Sequence, residues 1–157
     1  NLILKNFINN ITKLSIGSAN FGTNYSFGLK NGKLKQKNIN EIFKRAEQFG
    51  IKKIDTAQAY GDAEKKIGSY NIKKYEITTK LPPLTNKINR KNYEKVIFSH
   101  INNSLKKLKV KKITTVLLHD ANDLKKNIVM KSFRHLLNLR KVKKLKELVF
   151  LYIQSLI

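Results

Sequence analysis

Cysteine is absent from this chain, as is tryptophan, and proline occurs only twice. Without cysteine there can be no disulfide framework and no thiolate metal site; a reducing compartment, cytoplasmic by default, is the expectation. No apolar run approaches the roughly 20 residues that cross a bilayer as a helix. The opening NLILKNFINN is too short and too broken by asparagines to read as a secretory leader, so neither a membrane nor export is expected. Acidic residues are scarce: 10 Asp and Glu face 33 Lys and Arg, for a formal net charge of +23. Arginine is scarce as well, limited to Arg45, Arg90, Arg134 and Arg140. So large a positive excess is the footprint of a nucleic-acid binder, yet arginine is the side chain that reads phosphate and base edges bidentately. The lysines are strewn among Asn and Ile along the chain, as a bias toward AT-rich codons would leave them. No zinc-ligand spacing and no aromatic-interleaved RNA signature accompanies them. A specific nucleic-acid partner is therefore not expected, and a basic nucleic-acid or polyanion-binding α/β module stands as the alternative reading.

What is present suffices for one folded domain: 157 residues, 41% of them hydrophobic. Residues 13–19, KLSIGSA, alternate polar and apolar as a strand does, then meet a glycine-bearing loop, NFGTNYSFGLKNG. Asn38 is placed to cap a helix over INEIFKRAEQF, whose Ile39, Ile42, Phe43, Ala46 and Phe49 recur at helical spacing, and Gly50 stands where a helix C′ residue belongs. IKKID predicts a strand closed by Asp55, DAEKKIGSY a turn or two of helix, and KYEITTK a strand ending at Lys80 before Pro82 and Pro83 stop it. A long helix follows in RKNYEKVIFSHINNSLKKLK, with Val96, Ile97, Ile101, Leu105 and Leu108 on one face. KITTVLLH reads as a strand ending at His119, and Asp123 as the cap of another helix. Strands alternating with helices imply parallel strands joined by helical crossovers, an α/β fold. An open doubly wound sheet and a closed eight-fold barrel both satisfy that pattern.

Four chemically useful side chains fall at or just past the carboxyl ends of three successive strands: Asp55, Tyr60, Lys80 and His119. On a barrel that rim is where catalytic residues sit. Each alone has an ordinary explanation: a strand-end Asp caps a turn, a Tyr packs, a Lys among many is solvated, a His closes a strand. Together they make a proton-delivery set. A phenol of reference pKa ~10 keeps its proton at neutral pH, and a lysine ammonium beside it favours the phenolate and makes it a better acid. The aspartate would hold that lysine charged and oriented, while the imidazole hydrogen-bonds the same carbonyl oxygen as the phenol. Such a set suits reduction of a C=O group, with hydride arriving at carbon as Tyr60 protonates oxygen.

The stretches LSIGSANFG, KKIDTAQAYGDAEKKIG, YEITTKLPP and SLKKLKVKKITTVLLHDAND resemble the first half of an aldo-keto reductase. DTAxxYG, a later strand ending in Lys and another ending LLH form a specific combination, and the likeness covers about residues 12–125. The resemblance implies a (β/α)8 TIM-type barrel of which this chain forms the first half, about four βα units. It implies NADPH-dependent reduction of a small-molecule aldehyde or ketone without a metal. It also implies Asp55, Tyr60, Lys80 and His119 as the catalytic tetrad, Tyr60 being the general acid and Asp55 with Lys80 its tuning pair. Gly17, Ser18 and Asp55 would lie beside the nicotinamide of NADPH or NADP. FGTNYSFGLKNG would form one wall of the substrate pocket, with Phe21, Tyr25 and Phe27 lining it.

A whole barrel takes about 250 residues, so strands five to eight and their phosphate-binding loops have no counterpart in 157, and no G-x-G-x-x-G run replaces them. After FRHLLNLRKVKKLKEL the resemblance stops at VFLYIQSLI. Back-translated with AT-leaning codons and read one base earlier, Glu147 to Gln154 give Gly-Ile-Gly-Val-Ser-Ile-Tyr-Ser, the run a fifth barrel strand would need. The expectation is a single partial domain over residues 1–157, with 147–157 a non-native tail left by a frameshift. Half a barrel would also bare two sheet edges and the apolar interior of its strands. An aggregation-prone chain with little or no reductase activity follows.

Overall fold

The computed structural model describes residues 13–25, 32–84, 92–120, 123 and 150–151. Five parallel strands lie side by side: β1 (Ile16–Gly17), β2 (Lys53–Asp55), β3 (Glu76–Leu81), β4 (Thr115–Leu118) and β5 (Phe150–Leu151). The helices between them are α1 (Ala19–Gly22), α2 (Gln36–Gln48), α3 (Ala63–Ile67) and α4 (Tyr93–Leu108). Spatial order follows chain order with no reversal, β1 to β5. A doubly wound sheet has a switch point where that order reverses; its absence here decides for the opening half of a barrel.

Side chains along a strand alternate between faces. Ile16, Ile54, Ile77, Thr79, Leu81 and Val116 share one face, and all six are buried. The apolar stripes of α2 and α4 close over it: Ile39, Phe43 and Ala46 from α2, Ile97, Ile101 and Leu108 from α4, with Ile67 of α3 between. Phe43 is the hub of this layer. Its ring stacks on Tyr70 at 4.7 Å and meets Tyr75 and Phe21 edge-on at 5.5 and 6.3 Å.

The other face of the sheet carries Lys53, Asp55, Thr78, Lys80, Thr115 and Leu117, none of them fully buried. Over β2 and β3 the uncovered strand interior is thus polar, where an apolar one was expected; β4 adds Leu117, and register puts Phe150 of β5 in the row of Thr115. Among the described residues the large exposed hydrophobics are Leu14, Tyr25 and Phe49, and none belongs to that face. The reason lies in the alternation: every apolar residue of β2 and β3 falls in the register that faces the helices.

Local structure departs from expectation in several places. Residues 19–22 make a helical turn, α1, where a loop was expected, because Phe21 is 1% exposed and must reach Phe43. Helix α2 starts before Asn38, at Gln36, with no side-chain cap. The Gln36 amide instead donates to Asn40 Oδ1 (3.0 Å) and to the Lys66 carbonyl (3.2 Å), tying the first turn to α3. Gly50 does adopt the left-handed conformation of a C′ residue, φ +71°. Strand β3 runs one residue past Lys80 to Leu81. A fifth strand is present where four were expected: Phe150 and Leu151 pair with Thr115 and Val116. The helix expected after Asp123 lies outside the described residues; Asp123 itself is buried and accepts the Leu84 N–H at 2.8 Å.

Candidate active site

The carboxyl ends of β1 to β4 form one rim, because parallel strands all point the same way. Register aligns them: Gly17 pairs with Asp55, Asp55 with Thr78, Lys80 with Leu117 and Leu81 with Leu118. The ladder continues beyond the strands. The N–H groups of Ser18, Gln58 and His119 donate to the carbonyls of Asp55, Lys80 and Leu81 at 3.1, 3.2 and 3.2 Å. Asp55, Lys80 and His119 therefore sit on backbone pinned by a neighbour strand, while Tyr60 follows two residues after the pinned Gln58.

The four side chains meet in sequence around this rim. Lys80 Nζ donates to Asp55 Oδ1 at 2.5 Å and to the Thr56 carbonyl at 3.2 Å. The same ammonium stands 5.3 Å from the centroid of the Tyr60 ring, within cation–π range. The rings of Tyr60 and His119 meet edge-on with centroids 6.0 Å apart. Lys80 is mostly enclosed, its side chain 18% exposed, whereas Asp55 is 40% exposed. Gly17 lies in the same row as Asp55, and a Cβ there would meet nothing within 4 Å, which leaves open space over that end of the sheet. Ser18, next along, is 1% exposed and its hydroxyl has no hydrogen-bond partner among the described residues.

Tyr60 is carried by a loop, and several residues that sequence reasoning passed over hold that loop in place. Gln58 Nε2 donates to the His100 carbonyl and to Ser104 Oγ, both at 2.8 Å, and Gln58 Oε1 lies 3.0 Å from His100 Nδ1. Pairing with an amide oxygen assigns the ring hydrogen to Nδ1. Burial, and then the nearby Lys107, hold His100 below the ordinary histidine value, so it is neutral at pH 7. On the other side of the loop two glycines meet backbone to backbone. A Cβ on Gly22 would stand 1.7 Å from the Tyr60 carbonyl oxygen, and one on Gly61 2.4 Å from the Gly22 carbonyl oxygen. Gly61 also has φ +58°, a conformation side chains disfavour. Lys66 clamps the same corner, donating to the Phe21 and Leu34 carbonyls at 2.8 Å each.

Directly behind the rim is a buried polar row. Register places Ser18, Thr56 and Thr79 side by side on the helix-facing side of the sheet, and Glu64 of α3 covers them. Thr79 Oγ1 donates to Glu64 Oε1 at 2.8 Å. The hydroxyls of Ser18 and Thr56 and Glu64 Oε2 have no partner among the described residues. Of the aromatic residues expected to wall a substrate pocket, Phe21 is instead a core residue, Tyr25 is 61% exposed, and Phe27 lies outside the described residues.

Parallel βα units in unreversed order define the first half of a (β/α)8 barrel, and the carboxylate, phenol, ammonium and imidazole lie on its carboxyl-end rim, the face on which such barrels carry their sites. The chain belongs to the aldo/keto reductase family, whose profile matches residues 13–149. Two crystal structures from Pseudomonas aeruginosa, each reported as an aldo-keto reductase, share its fold. One is 22% identical with a TM-score of 0.67, over 89% of this chain and 56% of that one. The other is also 22% identical, with a TM-score of 0.66 over 92% and 56%. The chain thus spans little more than half the length of the structures it matches. No curated protein matches it. Among the described residues no helix is long and apolar enough to cross a membrane, and no group of three or more His, Cys, Asp or Glu could hold a metal ion.

Proposed function

We propose that this chain is the site-bearing half of a cytoplasmic NADPH-dependent reductase that converts an aldehyde or ketone to an alcohol, with Tyr60 as the proton donor. The observation that supports it most is the unbroken series of contacts from Asp55 to Lys80 to Tyr60 to His119. A substrate carbonyl oxygen at the exposed edge of Tyr60 and His119 would receive hydrogen bonds from both. As negative charge grows on that oxygen the phenol gives up its proton, and the fixed ammonium of Lys80 stabilises the phenolate left behind. Asp55 keeps that ammonium from swinging out to solvent.

The nicotinamide cofactor fits the residues present at the β1 end of the rim. Gly17 leaves open space there for a flat ring, whereas Ser18, expected beside the same ring, is buried on the helix-facing side of the sheet and does not border that space. Asp55 borders the same space. When bound, the cofactor supplies the hydride. The loops that would hold its phosphates belong to barrel strands beyond those described, so the chain alone is expected to turn over little or no substrate. A frameshift over residues 147–157 belongs to the same reading, although the family match takes in residues 147–149 and Phe150 and Leu151 pair with β4; sequencing the gene past codon 146 tests this, and a missing downstream frame for further strands would refute it.

The test of the activity is restoration. Fused to the missing strands, the chain should reduce carbonyl compounds with NADPH, and Tyr60→Phe should lower kcat by about 10²–10⁴-fold, the usual share of a general acid. NADPH quenching of intrinsic fluorescence should be unchanged in that variant. Equal kcat for both proteins would remove Tyr60 from the chemistry. The alternative, a basic polyanion-binding module, accounts for the charge of +23 but not for an acid, a phenol and an imidazole gathered round one lysine.

A further inference from the structure

At the far end of the strands from the rim, where the chain enters β3 and β4, lies a pocket of ≈ 530 Å³. That volume is in the range of small-ligand sites. Ile72, Tyr75, Ile77 and Val110 make much of its lining apolar, and four exposed lysines, Lys73, Lys109, Lys111 and Lys112, also border it. No carboxylate lines it. The ion pairs among the described residues use Lys33, Lys44, Lys66, Lys74 and Lys80 and none of these four. Four like charges bordering a low-dielectric lining focus a positive potential into the pocket.

Lys109 adds a second, independent observation. It closes α4 with φ 54° and ψ 41°, the only non-glycine residue of positive φ among those described. Glycine is the residue that such a helix end favours, and backbone strain of this kind tends to persist where a side chain is needed. Here the residue that takes this conformation is a lysine bordering the pocket. We propose that this pocket binds an amphipathic organic anion, with an alkyl or aryl body on the apolar lining and a phosphate or carboxylate among the lysines. The site is separate from the catalytic rim and does not depend on the reductase reading.

The experiment is a titration of the full chain with octyl phosphate at 150 mM salt, followed through amide chemical shifts. Saturable binding at one site per chain is expected, with the largest shifts at residues 72–77 and 109–114. Lys111→Gln with Lys112→Gln should weaken binding at least 5-fold. Lys109→Gly should weaken it severalfold while leaving the urea midpoint unchanged or higher, since glycine relieves the backbone. Phosphatidylglycerol vesicles, tested with the same variants, distinguish a lipid headgroup from a free anion as the natural source; specific binding to either form is the expected result. Three results would overturn the proposal: inorganic phosphate binding as tightly as octyl phosphate, octyltrimethylammonium doing so, or the lysine variants binding as the parent does.

Discussion

Tyr60 depends for its position on residues other than the rim's polar groups, and the pair of glycines beside it is the most demanding of these. With Gly22 and Gly61 in backbone contact there is no room for a methyl group, and the nearest atoms are main-chain oxygens that cannot rotate away. Gly22→Ala is expected to destabilise the fold by about 1–3 kcal/mol or more, read as a lower urea midpoint. Gly50→Ala, where nothing lies within 4 Å, meets only the strain of φ +71° and serves as the comparison. A larger loss at Gly50 than at Gly22 would mean that the close approach is not the constraint. At this scale the sequence was informative about reactive groups and silent about their supports. Asp55, Tyr60, Lys80 and His119 stood out because each ends or follows a strand. Nothing local to NFG or YG marks those glycines as partners, since their contact joins positions 39 residues apart. Glu64 was equally hidden: a glutamate among lysines reads as a solvated helix face, yet it is 1% exposed and bonded to Thr79.

Among elements, α2 separates what pattern can read from what it cannot. Of the five residues at helical spacing, Ile39, Phe43 and Ala46 are buried and Ile42 half-buried, whereas Phe49, past the last turn, is 55% exposed, because spacing marks the inward face only as far as the helix runs. Its beginning was misplaced, because Gln36 is held by Lys66 across the fold rather than by a local cap. Two substitutions weigh these terms against each other. Asn38→Ala should change stability by less than 0.5 kcal/mol, well below the ~1 kcal/mol of a lost cap, since Asn38 is exposed within the helix. Phe43→Ala should cost about 3–5 kcal/mol, because the ring touches three aromatic neighbours and is wholly buried. Chemical denaturation measures both. A cap-sized loss at Asn38 would restore the local reading of the helix start. The four main strands were legible from β-branched runs, although their ends shifted by a residue or more. The choice of barrel over doubly wound sheet was not legible from periodicity, since it rests on strand order, a property of the assembled sheet.

For the molecule as a whole, the aromatic hub sets an alkaline limit. Burial, and next the Glu47 carboxylate, push the Tyr75 phenol up to about 12. An unfolded chain releases that proton near pH 10. The stabilisation Tyr75 contributes is therefore complete below pH 10 and is lost as pH rises from 10 toward 12. Tyr70, raised for the same two reasons, shifts in the same direction. Denaturation midpoints should fall across this window, and fall less steeply in Tyr75→Phe. Parallel curves for the two proteins would remove the phenol from the account.

The sheet's bare side has its own consequence for how a complete ring could form. Over β2 and β3 a surface of lysine, aspartate and threonine gains little by expelling water, so any apolar pull on a second set of strands is confined to the β4–β5 side, at Leu117 and the Phe150 position. Closure has to be drawn by main-chain bonding along β1 and β5 and by contact between the outer helices. Joining the halves should accordingly depend on strand alignment at two narrow borders, with the mouth still wet when the last strand docks.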